Sequence, residues 1–159
     1  MKLEGSCHCG AVRFSLDSEE PVPYMRCYCS ICRKTAGSGG FGINLGGDRA
    51  SLVIKGTEHI RRYNPATGET DTDPLTERGR RFCGRCGSPL WNYDPRWPEL
   101  VHPHAGAIDT DLPEPPERVH ILLNSCAPWA QPDIRDSDQA FEAYPQESLA
   151  DWHQRVMSD

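Results

Sequence analysis

Seven of the eight cysteines in this chain fall into three tight clusters: Cys7 and Cys9 in "SCHCG", Cys27, Cys29 and Cys32 in "RCYCSICRK", and Cys83 and Cys86 in "FCGRCG". Cysteines this close bridge only awkwardly, and in a reducing cytosol thiols persist as metal ligands or nucleophiles rather than as disulfides. At 159 residues the chain is long enough to bury a core without covalent staples, so its thiols answer to another need. The spacing predicts metal binding, with Zn2+ the expected ion, and a fold that must bring clusters from distant parts of the chain together.

Seven ligands divide as four plus three. A structural zinc takes four ligands in a closed tetrahedron, whereas a reactive zinc keeps three protein ligands and one open corner. Cys7, Cys9, Cys83 and Cys86, flanked by Gly10, Gly84 and Gly87, would make an all-thiolate site of four. Cys27, Cys29 and Cys32 can supply three thiolates from one turn, and the open corner left over suits an incoming sulfur. Counting alone leaves other partitions open. Thiolate charge calls for compensation, and Arg26, Arg33, Lys34, Arg80, Arg81 and Arg85 flank the cysteines, either as ordinary solvated charges or as an attraction for an anionic thiol.

The remaining composition excludes several classes. Seventeen basic against 23 acidic residues, a net charge of −6, argue against nucleic acid as a partner despite the "RGRRFCGRC" stretch. The N-terminal "MKLEGSCHCGAVRF" has no apolar signal core, and no run reaches the roughly 18 apolar residues of a membrane span, so the expected location is cytoplasmic. Too little chain flanks either irregular stretch, "NPATGETDTDPLTE" or "DTDLPEPPER", to form a second core, so residues 1–159 read as a single zinc-binding domain.

Fourteen prolines and 14 glycines punctuate short apolar stretches, which predicts a mainly β fold. "AVRFSL" alternates with the period of two of a half-buried strand, and "FGINL", "SLVIKG", "HIRRYN", "RRFCG", "PLWNY", "AGAID" and "RVHILLN" are further strand candidates. "NPATGETDTDPLTE" reads as an exposed loop. "SLADWHQRVM" predicts one short C-terminal helix, with Leu149, Trp152 and Val156 on its apolar face and Ser148 with Asp151 as a capping pattern.

Other candidate residues carry plainer expectations. His8 is expected to face solvent, His102 and His104 lack a third ligand in sequence reach, and His59, His120 and His153 read as packing or surface residues. Cys126 is expected to be a small buried thiol, with a fourth ligand to the middle cluster as the alternative. Trp91, Trp97, Trp129 and Trp152 read as core or rim anchors.

Four stretches together, "GSCHCGAVRF", "RCYCSICRKTAGSG", "RFCGRCGSPLW" and "AGAIDT…ERVHILLNSCAPW", resemble the glutathione-dependent formaldehyde-activating enzyme and centromere protein V family over nearly the whole chain. The resemblance implies zinc-held twisted β-sheets of the Mss-four-like type. It further implies a carbon–sulfur lyase or synthase acting on a thiol–aldehyde adduct such as S-hydroxymethylglutathione. On that pattern Cys7, Cys9, Cys83 and Cys86 hold a structural zinc, and Cys27, Cys29 and Cys32 a catalytic one, with a small thiol and an aldehyde as partners and glutathione as candidate cosubstrate. The chain departs from the pattern at Tyr28, where relatives often carry histidine, and in having Cys126. The alternative is a zinc-stabilised binding module without chemistry, a thiol carrier or protein-interaction domain. Sheet edges invite pairing into a homodimer as a general tendency.

Overall fold

Short apolar runs broken by glycine and proline give short strands. In the computed structural model, which describes residues 1–158, these form a mostly β chain of twisted sheets with a short C-terminal helix. In order, the elements are β1 (Lys2–Ser6), β2 (Arg13–Asp17), β3 (Met25–Cys27), α1 (Ser30–Ala36), β4 (Gly47–Asp48), β5 (Val53–Lys55) and β6 (Ile60–Tyr63). There follow β7 (Thr70–Asp71), β8 (Gly79–Cys83), β9 (Pro89–Tyr93), β10 (Leu100–Pro103), β11 (Val119–Ile121), β12 (Gln139–Ala140) and α2 (Leu149–Met157).

Contacts group these into two units, each built from two separate stretches of sequence. The first comprises Met1–Pro21 and Asn44–Leu112. It holds a three-stranded sheet, β1-β2-β5, and a six-stranded one, β4-β10-β9-β8-β6-β7. β1 and β2 pair antiparallel from Lys2 with Asp17 to Ser6 with Arg13, which puts Leu3, Phe14 and Leu16 on a buried face. Phe14 meets Trp91 edge to face, with ring centroids 5.1 Å apart.

β8 reverses the usual alternation. Gly79, Arg81 and Cys83 face inward while Arg80 and Phe82 are half-buried, and the register shifts between Arg81 and Phe82. The Arg81 side chain is wholly buried, and it is satisfied: it donates to Asp73 Oδ2 at 2.8 Å and to the carbonyls of Gly79 and Glu77. Asp71 pairs in the same way with Arg62. The segment expected to be an exposed loop, residues 64–77, thus contains β7 and brings two carboxylates to two inward arginines.

The second unit comprises Val22–Ile43 and Pro113–Asp159. Its sheet, β12-β11-β3, is parallel throughout, with Val119 opposite both Gln139 and Met25. Val22, Tyr24, Val119, Ile121 and Trp152 form its core, and Cys27, Phe141, Leu149 and Val156 pack against them. Tyr24 and Trp152 stack with centroids 3.7 Å apart. As the capping pattern predicts, Ser148 accepts the Asp151 amide, and α2 lays Leu149, Trp152 and Val156 on that core.

Two strand expectations fail. "FGINL" makes only single bridges, Gly42 to Cys27 and Asn44 to His104, so no ladder accumulates. "AGAID" closes as a 3-10 turn over Ala105–Ala107, because its small side chains offer a pleated surface little to pack.

Candidate functional site

The structure gathers the seven clustered cysteines into two groups. The sulfurs of Cys7, Cys9, Cys83 and Cys86 lie within 4.8 Å of one another, and so do those of Cys27, Cys29 and Cys32. Cys126 stands outside both, half-buried, its thiol against the carbonyl of its neighbour Ala127.

In the group of four, two turns from distant parts of the first unit face each other. Gly10 and Gly87 each adopt φ +77, the left-handed conformation that lets the chain double back just after a cysteine. Amides then point at sulfur: Val12 N–H donates to Cys7 Sγ at 3.2 Å and Arg85 N–H to Cys83 Sγ at 3.4 Å. Ser88 ties the turns together. Its hydroxyl oxygen accepts the His8 amide at 3.0 Å and lies 3.2 Å from Cys86 Sγ. This serine escaped the reading of the sequence, since a serine two residues past a cysteine has no distinctive signal. His8 itself is exposed, as expected.

Zinc fits this group. A zinc–sulfur bond of about 2.3 Å in a tetrahedron puts neighbouring sulfurs about 3.8 Å apart. Cys7 and Cys9 are 3.6 Å apart and Cys9 and Cys83 3.9 Å. The thiols are unequal. Cys86 is pulled down to about 5, first by the Ser88 hydroxyl, whereas burial and then its thiol neighbours push Cys83 up to about 11.

The group of three comes from one strand-to-helix turn in the second unit. Cys27 ends β3, Cys29 caps α1, and Cys32 lies in the helix's first turn, its amide donating to Cys29 Sγ at 3.3 Å. Gly37 ends the helix, and a Cβ there would meet the Phe41 carbonyl oxygen at 1.8 Å, so only glycine lets the chain fold back this closely. Cys27 and Gly42 then exchange backbone hydrogen bonds of 2.9 and 3.0 Å. Donation from Cys27 and then Cys32 pulls Cys29 down to about 2, while the bonds of Cys27 to Cys29 and then to Cys32, with burial, hold Cys27 well above the ordinary thiol range. Cys29 therefore ionises before Cys27, and the group's set of soft sulfurs suits zinc.

The flanking cations differ in role. Arg81 is buried against Asp73, which sets aside both readings of it, as a solvated charge and as an attraction for an anionic thiol. Arg26 lies over the Phe41 ring at 4.7 Å, and the Nε atoms of Arg26 and Arg33 are buried without a hydrogen-bond partner. His102 is half-buried and bonded through Nδ1 to the Leu45 carbonyl; desolvation lowers its pKa, and it is part of neither group. Trp91 and Trp152 are core residues, whereas Trp97 and Trp129 are exposed.

The sequence profile of the glutathione-dependent formaldehyde-activating enzyme family matches residues 2–125, a span that contains all seven clustered cysteines. The chain belongs to this family. A Halomonas elongata protein provisionally named as a glutathione-dependent formaldehyde-activating enzyme is 57% identical over 157 residues, which is 98% of this chain and 97% of that one. A Rhodobacter sphaeroides protein of known crystal structure is 24% identical, with a TM-score of 0.53 over 71% of this chain and 92% of its own, a likeness of fold. Beyond the formaldehyde-activating match lie Cys126, Asp138 and all of α2. No described helix is long and apolar enough to cross a membrane.

Proposed function

We propose that this protein catalyses the reversible addition of a small thiol, glutathione in the first instance, to an aldehyde such as formaldehyde. The observation that carries the reading is the group of three: Cys27, Cys29 and Cys32 converge from one turn, and Cys126 does not complete them. The family and the Halomonas relative's name supply the substrate class.

In this reading Cys7, Cys9, Cys83 and Cys86 hold a structural zinc that joins the two turns of the first unit. Cys27, Cys29 and Cys32 hold the second. Zinc bound by three thiolates would supply a Lewis-acid seat for an incoming thiol sulfur. The chain's own part is to aim the ligands: the Cys32 amide keeps Cys29 Sγ turned into the group, and α1 fixes Cys32 three residues on. Arg26 and Arg33, next in sequence to Cys27 and Cys32, offset the charge of the thiolates. In the addition, the thiol sulfur bonds to the carbonyl carbon and the thiol proton ends on the carbonyl oxygen. The lyase direction is the reverse.

Native mass spectrometry with and without glutathione tests the binding, and exchange NMR with labelled formaldehyde tests the chemistry. The expected result is two zincs and a glutathione complex in the wild type, one zinc and no complex in Cys29→Ser, and faster adduct exchange only with the wild type. Two zincs indifferent to glutathione would make the group of three a clamp in a binding module without chemistry.

A further inference from the structure

Tyr28 stands between two thiols of the group of three, yet its side chain is 1% exposed. Neighbouring residues of extended chain point to opposite sides, so sending Tyr28 inward sends Cys27 and Cys29 the other way. Its ring lies between Phe41, with centroids 5.3 Å apart, and His120, at 5.7 Å and nearly parallel. Its hydroxyl is 3.0 Å from His120 Nδ1.

His120 is wholly buried, and its Nε2 lies 3.3 Å from Asp138 Oδ2, whose side chain is also wholly buried. Asp138 is the fixed end. It accepts the amide and Nε of Arg118 at 3.0 and 2.8 Å, and those of Arg135 at 2.9 and 3.1 Å. A carboxylate so held stays ionised and can only accept. His120 therefore carries its proton on Nε2, which leaves Nδ1 to accept the Tyr28 hydroxyl. The chain of bonds runs one way, Tyr28 to His120 to Asp138, across the sheet in which β11 lies between β3 and β12.

Tyr28 also joins two differently supported parts. Cys27 belongs to the strand, and Cys29 and Cys32 belong to the helix end. The backbone bonds of Cys27 to Gly42 and of Tyr28 N–H to the Ile121 carbonyl, at 3.0 Å, fix the strand side. The tyrosine side chain fixes the joint.

We propose that Tyr28, His120 and Asp138 form a positioning bar that sets the angle between the strand and helix cysteines of the group of three, and so how tightly that group holds its metal. This rests on the reading that Cys27, Cys29 and Cys32 bind zinc. Partners that orient metal ligands from behind typically change metal affinity by about 10- to 100-fold, and the bar acts one bond further away, so about tenfold is expected.

The test follows zinc released from the full-length, zinc-loaded protein into a chromogenic chelator. Wild type is expected to release one zinc quickly and one slowly. Tyr28→Phe, which removes one hydroxyl, is expected to speed the fast phase about tenfold and leave the slow one unchanged. His120→Leu, which leaves Asp138 to its two arginines, is expected to match it, and the double variant to be no faster than either, because all three cut one link. Phe41→Leu, which loosens ring packing on the same tyrosine without touching the bond, is expected to stay within about twofold of wild type. Fast phases that overlay wild type, or single effects that multiply in the double variant, would overturn the bar while leaving the zinc site standing. A wild type that holds one zinc would overturn both, and the stoichiometry tells the two failures apart.

Discussion

The two cysteine groups solve one problem, gathering soft ligands, with opposite architectures. The group of four recruits two turns more than 70 residues apart, with Cys9 and Cys83 separated by 74 positions. The group of three is drawn from six consecutive residues at a single strand-to-helix joint. A metal in the first closes a long loop and substitutes for core; a metal in the second closes almost nothing. The difference teaches where stability and where chemistry should reside, and it can be broken by experiment.

The largest effect is expected from Cys83→Ser. Structural zinc contributes apparent free energies of about 10–16 kcal/mol in finger peptides, comparable to the whole stability of a domain at about 5–15 kcal/mol. Cys83 is fully buried at the end of β8, so its loss should cost the first unit its cooperative transition in calorimetry, or leave the protein insoluble. Cys29→Ser should lose one zinc and keep that transition within a few degrees. If the two variants melt alike, the contrast between the groups fails.

Next comes Asp73→Ala. It strands the buried Arg81 guanidinium two residues before Cys83, and breaking a buried ion pair by removing one partner costs about 3–5 kcal/mol. Urea unfolding should show that loss, with the group of four loosened and the group of three unaffected.

Arg81 also shows how far the sequence could be read. The spacing marked each cysteine pair and the triplet because such spacing is local, whereas the meeting of Cys9 with Cys83 across 74 positions is the work of the fold; "AVRFSL" and "SLADWHQRVM" gave their elements because a single face is buried. The Arg81–Asp73 pair was hidden, since an arginine beside an exposed-looking acidic loop gives the same letters whether solvated or buried. The bar of Tyr28, His120 and Asp138 was hidden for a related reason: its members are 92 and 18 positions apart and meet only through parallel strand pairing. "FGINL" misled because its apolar letters describe a segment that touches each partner once.

A smaller effect is expected from acid, and it should fall unequally. Burial lowers His120, and despite its own burial Asp138 is held well below the carboxylate range by Arg118 and Arg135. Both folded values lie below the unfolded ones, so the unfolded chain takes up protons first and stability falls as pH falls. For His120 the loss begins beneath its unfolded value of about 6.5; for Asp138 it begins beneath about 3.9. Protection factors in β11, that is, amide exchange corrected for its intrinsic pH dependence, should therefore fall between pH 7.5 and 5.5 in the wild type. In His120→Leu that step should vanish, while the later acid step assigned to Asp138 persists. An unchanged pH profile in that variant would assign the sensitivity to the thiols instead.

The smallest effect is expected from Trp129→Ala, and it is informative beside Gly40→Ala. Trp129 is 61% exposed, so its removal should change stability by no more than about 0.5 kcal/mol. Gly40 adds nothing to a core, yet it adopts φ +93, and a Cβ there would lie 2.6 Å from the Ala130 Cβ and 3.5 Å from the Trp129 ring. Adding one methyl should therefore cost more than deleting an indole, of order 1–3 kcal/mol for the strained backbone. The loop between α1 and Gly42 would then be fixed by its own backbone, with the tryptophan resting on it. Thermal melts of the two variants decide this: a larger loss from Trp129→Ala would mean that the ring holds the loop, and with it the far end of the helix whose first turn carries Cys32.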